Sequence, residues 1–384
     1  MKMGYSPRAM PIDFDFLQTV FLLPAMAFLV TLGAIPLVRK WAIETGFVDH
    51  PGGRKQHDGD VPPIGGVVVF SVFMAFSIFT ESPFDGTWAF FLALTMVLLA
   101  GIADDARGVD ARVKFSIHFL AAFIMVLGGE VRLENLGNLL GFGEMTLGWF
   151  SIPFSVACVV YIINAMNMMD GIDGLAAGKG LIILGWLMAA CAFGDWREPL
   201  TAMAIISGGL VGFLVYNLRH PFHKKASVFL GDAGSMALGL TIAWFAMGIS
   251  QGPEPVVAPV SVAWIIALPI VDAFGLFVTR IREGKHPFMP DRRHFHHRFL
   301  DAGFSVGQST FLILLWGGLL GAIGFFGVAL GIPEGVLGWL WVALWVGHTA
   351  LVMRPALLIS GLAGLHRVLF SSPSTKQNSQ TGEL

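Results

Sequence analysis

Apolar runs separated by short polar connections repeat along the whole chain. They fall near residues 16–38, 63–80, 86–103, 113–129, 149–168, 174–194, 199–218, 228–250, 255–279, 308–332 and 335–353. Each is poor in charge and near the roughly 17–25 residues that an α-helix needs to cross a bilayer. The pattern predicts an all-α, polytopic integral membrane protein with about eleven transmembrane helices. The second run is short, and the sixth and eighth carry Lys179 and Asp232. A further run at 355–370 is short and contains His366 and Arg367, which predicts a helix lying at the membrane interface. Residues 1–370 read as one transmembrane domain, and 371–384 as a polar, disordered tail. Neither a tandem repeat nor an inverted duplication is visible.

Composition agrees: 55% of the 384 residues are hydrophobic and 13% are charged, against about 25% charged in soluble domains. The net charge of −2 says nothing about partners. Cys158 and Cys191 both lie inside apolar runs, which suggests neither a disulfide framework nor a zinc site. Residues 1–15 are polar and mixed in charge, so targeting falls to the first membrane helix rather than to a cleavable signal. Placing the N-terminus in the periplasm and the C-terminus in the cytoplasm puts 20 of the 24 Lys and Arg on the cytoplasmic side. Lys2, Arg8, Arg132 and Arg197 remain on the other.

This orientation gathers the chemistry on one face. Asp104 and Asp105 open the connection after the third run. Adjacent carboxylates repel and want a cation or a shared proton; the bland alternative is a solvated pair balanced by Arg107 and Arg112. Asn164, Asn167, Asp170 and Asp173 are spaced by three along one side of a helix end, with Gly171 and Gly174 allowing a turn. A polar helix cap is the competing reading. Asp232 in Gly231-Asp232-Ala233-Gly234-Ser235 is either an N-cap or a third metal-facing carboxylate. The longest such loop, 280–308, holds Asp291-Arg292-Arg293-His294-Phe295-His296-His297-Arg298. Three histidines invite zinc, but the arginines crowding them favour a phosphate or diphosphate. Arg54-Lys55-Gln56-His57, ahead of a Pro/Gly turn at 61–66, is a second anion clamp or simple positive-inside anchoring. Asp272 faces the same region or pairs with Arg280 or Arg282. Gly208/Gly212 and Gly317/Gly321 read as close helix packing.

In this order the motifs resemble those of the polyprenyl-phosphate N-acetylhexosamine-1-phosphate transferases, glycosyltransferase family 4. The resemblance rests on Asp104-Asp105, the Asn-x-x-Asn-x-x-Asp-Gly-x-Asp-Gly run at 164–174, Gly-Asp-x-Gly-Ser at 231–235 and His-x-His-His at 294–297, and it covers most of the chain. The last motif, with Arg54-Lys55 and His57, is similar to the branch that transfers N-acetylglucosamine 1-phosphate to undecaprenyl phosphate for O-antigen, enterobacterial common antigen or teichoic-acid linkage units. The branch using UDP-muramoyl-pentapeptide usually has three consecutive histidines. Phe295 departs from the Ile or Leu common at that position, and stays apolar.

The resemblance implies a bacterial inner-membrane enzyme using Mg²⁺ or Mn²⁺, a UDP-N-acetylhexosamine and undecaprenyl phosphate, able to form a homodimer and having no nucleic-acid partner. It implies catalytic roles for Asp104, Asp105, Asp170, Asp173, Asp232 and His296. Asp105, Asp232 and Asp170 would hold the metal. Asn164, Asn167 and Asp173 would read the uridine, while Lys55, Arg292, Arg293, His294, His296 and His297 would hold the diphosphate. A transporter is the rival of another class; it would place polar groups near the midplane of several helices, with repeat symmetry.

Overall fold

Small residues set how the helices meet. The computed structural model describes residues 14–49, 59–219, 224–252, 255–285 and 293–370, with side chains from residue 19 onward. The helices are α1 (Phe14–Thr45), α2 (Gly65–Ser77), α3 (Thr87–Arg107), α4 (Ala111–Gly128), α5 (Ser151–Met169), α6 (Leu175–Gly194) and α7 (Arg197–Asn217). They continue as α8 (Gly231–Ser250), α9 (Pro259–Ile265), α10 (Ala267–Arg282), α11 (Phe295–Asp301), α12 (Val306–Ala329), α13 (Glu334–Val352) and α14 (Pro355–Phe370). Among the described residues, nine helices are long and apolar enough to cross a bilayer, and α9 with α10 adds a bent tenth.

At the centre stands α8, whose apolar stretch is 94% buried. Lipid tails are as apolar as leucine, so close backbone packing must hold such a bundle together. A Cβ on Gly66 of α2 would strike the Gly234 backbone, one on Gly101 of α3 the Ala233 backbone, and one on Gly239 the α5 backbone at Ile163. At its other end, Trp244 stacks on Phe90 with ring centroids 5.0 Å apart. The paired glycines behave as their spacing predicts. Gly208 and Gly212 meet the α1 backbone at Pro24 and Phe28, and Gly317 and Gly321 of α12 lie against Lys179 and Trp186 of α6.

Three elements differ from the run lengths. The second run yields a helix of 13 residues, about 20 Å long against a hydrocarbon core of about 30 Å. It is followed by the non-helical segment 78–86, whose Phe84 packs on Trp196, Trp244 and Phe245. The ninth run bends by 72° between α9 and α10. Pro269 explains the break: it has no N–H for the Ile265 carbonyl, and its ring crowds that turn. The third run continues past residue 103 to Arg107 and stops at Gly108, in the left-handed region at φ 68°. Asp104 and Asp105 therefore lie on the last turn of α3, not in the connection. The 355–370 run does form a short helix, α14, which packs on α11 and α13. The disordered-tail expectation concerns 371–384, outside the described residues.

Candidate active site

Two carboxylates at a helix C-terminus face the negative end of its dipole, so Asp104 and Asp105 need compensation. Asp104 accepts from the Val109 amide at 2.6 Å and from Lys114 Nζ at 2.5 Å. Asp105 accepts from the amides of Asp232 at 3.0 Å and Ala233 at 3.2 Å. Those amides open α8 and have no partner within their own helix. Asp105 thus caps α8 from a neighbouring helix and locks the ends of α3 and α8 together.

Asp232 follows on the first turn of α8. Its Oδ1 accepts from Asn167 Nδ2 at 2.9 Å, and Lys114 Nζ lies 3.6 Å from its Oδ2. Lys114 therefore bridges Asp104 and Asp232. Asn167 also donates to Ser235 Oγ at 3.0 Å. Asn164 donates to the Val160 carbonyl at 2.7 Å and lies 3.3 Å from Nδ1 of buried His118. Both asparagine amides brace α5 against neighbouring helices. Beyond α5, Asp170 takes the C-cap position and residues 171–174 turn into α6. Arg219 Nε donates to Asp173 Oδ2 at 2.5 Å, and the Gly174 amide donates to Asn217 Oδ1 at 2.7 Å. Gly174 sits at φ 79°, a conformation L side chains rarely adopt.

These ends enclose a cavity of about 660 Å³ whose lining includes Asp104, Asp105, Asp170, Asp173, Asp232, Arg219 and His297. Six carboxylates, Asp49 among them, repel one another around this space. Burial pushes the Asp170 carboxyl up to about 8, and Asp232, Asp105 and Asp173 push the same way. A divalent cation would relieve this. The carboxylates offer oxygen donors, as a hard cation prefers. No three His, Cys, Asp or Glu among the described residues form a ready-made cage. Magnesium takes one or two carboxylates and completes its shell with water and phosphate. Asp170 and Asp232 could hold it, as could Asp105, whose oxygens each keep a lone pair beyond the α8 amides.

The histidine motif forms the short helix α11 and the residue before it. His297 reaches the cavity. His296 is 2% exposed and packs against Gly171, where a Cβ would collide with its Nε2. Burial drives its imidazole down to about 3, and His297 and His294 press the same way. His294 turns back from the cavity, its Nδ1 lying 3.2 Å from Asp272 Oδ2. Asp272 thus meets a histidine and, through Oδ1, the Phe295 amide. Arg293 donates to Glu283 at 2.6 Å. Lys55 and Arg292 fall outside the described residues.

Sequence reasoning passed over Lys114, His118, Asn217 and Arg219. A signal existed for the first two: Lys114 and His118 are four apart inside an apolar run and share one helix face. Arg219 and Asn217 carried none, because only the fold brings the end of α7 beside Asp173.

The architecture is that of an all-α membrane protein with an acidic cavity at one end of its bundle. Residues 87–250, spanning α3 to α8, match the family model described as Glycosyl transferase family 4. The chain is 34% identical over 313 residues to the undecaprenyl-phosphate alpha-N-acetylglucosaminyl 1-phosphate transferase of Yersinia pestis, covering 81% of this chain and 85% of the relative. It is 33% identical over 302 residues to the protein of that name from Escherichia coli K12, covering 77% and 81%. The Haemophilus influenzae protein of that name is 34% identical over 307 residues, covering 78% and 85%. The chain belongs to glycosyl transferase family 4.

Proposed function

We propose that this protein transfers N-acetylglucosamine 1-phosphate from UDP-N-acetylglucosamine to undecaprenyl phosphate, giving undecaprenyl-diphospho-N-acetylglucosamine and UMP. The observation that carries the reading is the convergence of six carboxylates with Arg219, Lys225 and His297 on one cavity, and of Lys114 with two of those carboxylates, at the helix ends. A lipid phosphate at the membrane surface can reach such a place while its chain stays in the bilayer. The excess of Lys and Arg on that side supports a cytoplasmic site in a bacterial inner membrane.

In the reaction, an oxygen of the lipid phosphate attacks the β-phosphorus of the nucleotide sugar. The new P–O bond forms as the bond from that phosphorus to the bridging oxygen breaks, and the oxygen leaves with UMP. Two anions must meet, so positioning and charge neutralisation provide most of the catalysis. Asp104 or Asp105 accepts a proton from the lipid phosphate. Lys114, Arg219 and His297 offer donors to the phosphate oxygens. Asp173, held by Arg219, turns the 171–174 loop toward the nucleotide, with Asn164 and Asn167 setting the helix end behind it. Asp170 and Asp232 would hold Mg²⁺, which supplies Lewis-acid neutralisation of the phosphates when bound.

The test is UMP release by purified protein given undecaprenyl phosphate, Mg²⁺ and a panel of UDP-sugars. UMP release with UDP-N-acetylglucosamine is expected. Turnover only with another UDP-N-acetylhexosamine or UDP-muramoyl-pentapeptide would replace the donor, and no release with any would remove the reaction.

A further inference from the structure

Three buried side chains from separate elements meet behind the histidines. Asp272 of α10 is 1% exposed, His294 before α11 is 7% and His348 of α13 is 8%. All three lie outside the 87–250 family match. A buried carboxylate is costly unless its lone pairs are taken. Asp272 Oδ2 meets His294 Nδ1 at 3.2 Å, its Oδ1 takes the Phe295 amide at 3.1 Å, and His348 Nε2 stands 3.7 Å from Oδ1. An ionised carboxylate only accepts, so His294 Nδ1 carries the hydrogen. The His294 ring then lies parallel to His296, centroids 5.7 Å apart and 4° between planes. His296 abuts Gly171 between two site aspartates and lies 4.2 Å from His297, which reaches the cavity.

We propose that Asp272, backed by His348, is a positioning residue: it fixes the start of α11 and the His294 ring, and through them sets where His296 and His297 stand in the site. The proposal rests on the transferase reading. A plain structural ion pair fastening α10 to α13 would use the same atoms, but it would not act through His296.

The two are separated by a double-mutant cycle on the full-length protein in nanodiscs. Asp272→Asn keeps the shape and removes the charge. It is expected to lower kcat about tenfold or more, as misplaced groups do, without reducing folded yield. On a His296→Ala background it should cost nothing further. Asp272→Glu should recover part of the rate. A second readout needs no turnover: diethyl pyrocarbonate should modify His296 slowly in the wild type and faster in Asp272→Asn, located by peptide mass spectrometry. If Asp272→Asn does not accumulate, His348→Gln carries both measurements, with a loss of about threefold expected for its longer contact. Wild-type kcat with His296 still protected would overturn the proposal, and so would losses that multiply. Should the wild type release no UMP, the transferase reading fails, while the protection of His296 still tests the positioning by Asp272.

Discussion

At the residue scale, the site is a problem of excess negative charge solved by a few contacts. Lys114 bridges Asp104 and Asp232, and Arg219 holds Asp173. Asp105→Asn, Asp173→Asn and His296→Ala are each expected to lower turnover at least about tenfold with folded protein retained, measured as UMP release. Lys114→Ala should do so too, because it leaves two adjoining carboxylates unneutralised. His296 also gives a pH signature. Its folded-state imidazole is held down to about 3, against about 6.5 when unfolded. The neutral ring therefore adds stability above pH 6.5 that is lost as pH falls through that window toward 3, by up to about 1.4 kcal/mol per unit. Thermal unfolding of His296→Gln against pH should show a shallower acid limb than the wild type.

At the element scale, α8 is held by backbone-to-backbone contacts that leave no space for a side chain. Gly66→Leu or Gly101→Leu would drive α2 or α3 off the Ala233–Gly234 backbone. Each is expected to abolish monodisperse protein in size-exclusion chromatography. Gly185→Ala in α6 meets nothing within 4 Å and should be neutral or slightly stabilising, since alanine favours helix over glycine by about 1 kcal/mol. The contrast isolates close approach from helix propensity. Asp105 ties this packing to the site, because the amides it caps belong to the helix turn that carries Asp232.

At the scale of the whole molecule, the alternation of helices brings the acidic turns of α3, α5 and α8 to one end of the bundle with α11. The hairpin pairing Asn135 with Thr146 lies before α5, at the other end. Orientation in the membrane follows from one experiment. In a background lacking Cys158 and Cys191, a cysteine at Lys285 should react with an impermeant maleimide only from the cytoplasm. One at Glu144 should react only from the periplasm. Labelling of both from one side would break the proposed topology.

Sequence alone determined that the chain is a helical membrane protein and singled out carboxylates that the fold brings to one cavity. Apolar run length and charges that solvation would otherwise exclude from a bilayer are both local, one-dimensional signals. The motif order was legible for the same reason, and it pointed to glycosyl transferase family 4. Contacts between distant segments were not legible. That Asp105 caps a helix 127 positions away, that Asp272 meets His294, and that Arg219 stands beside Asp173 were decided only by packing. A carboxylate accepts from whichever donor the fold delivers, and the delivering elements meet only once α8 is enclosed.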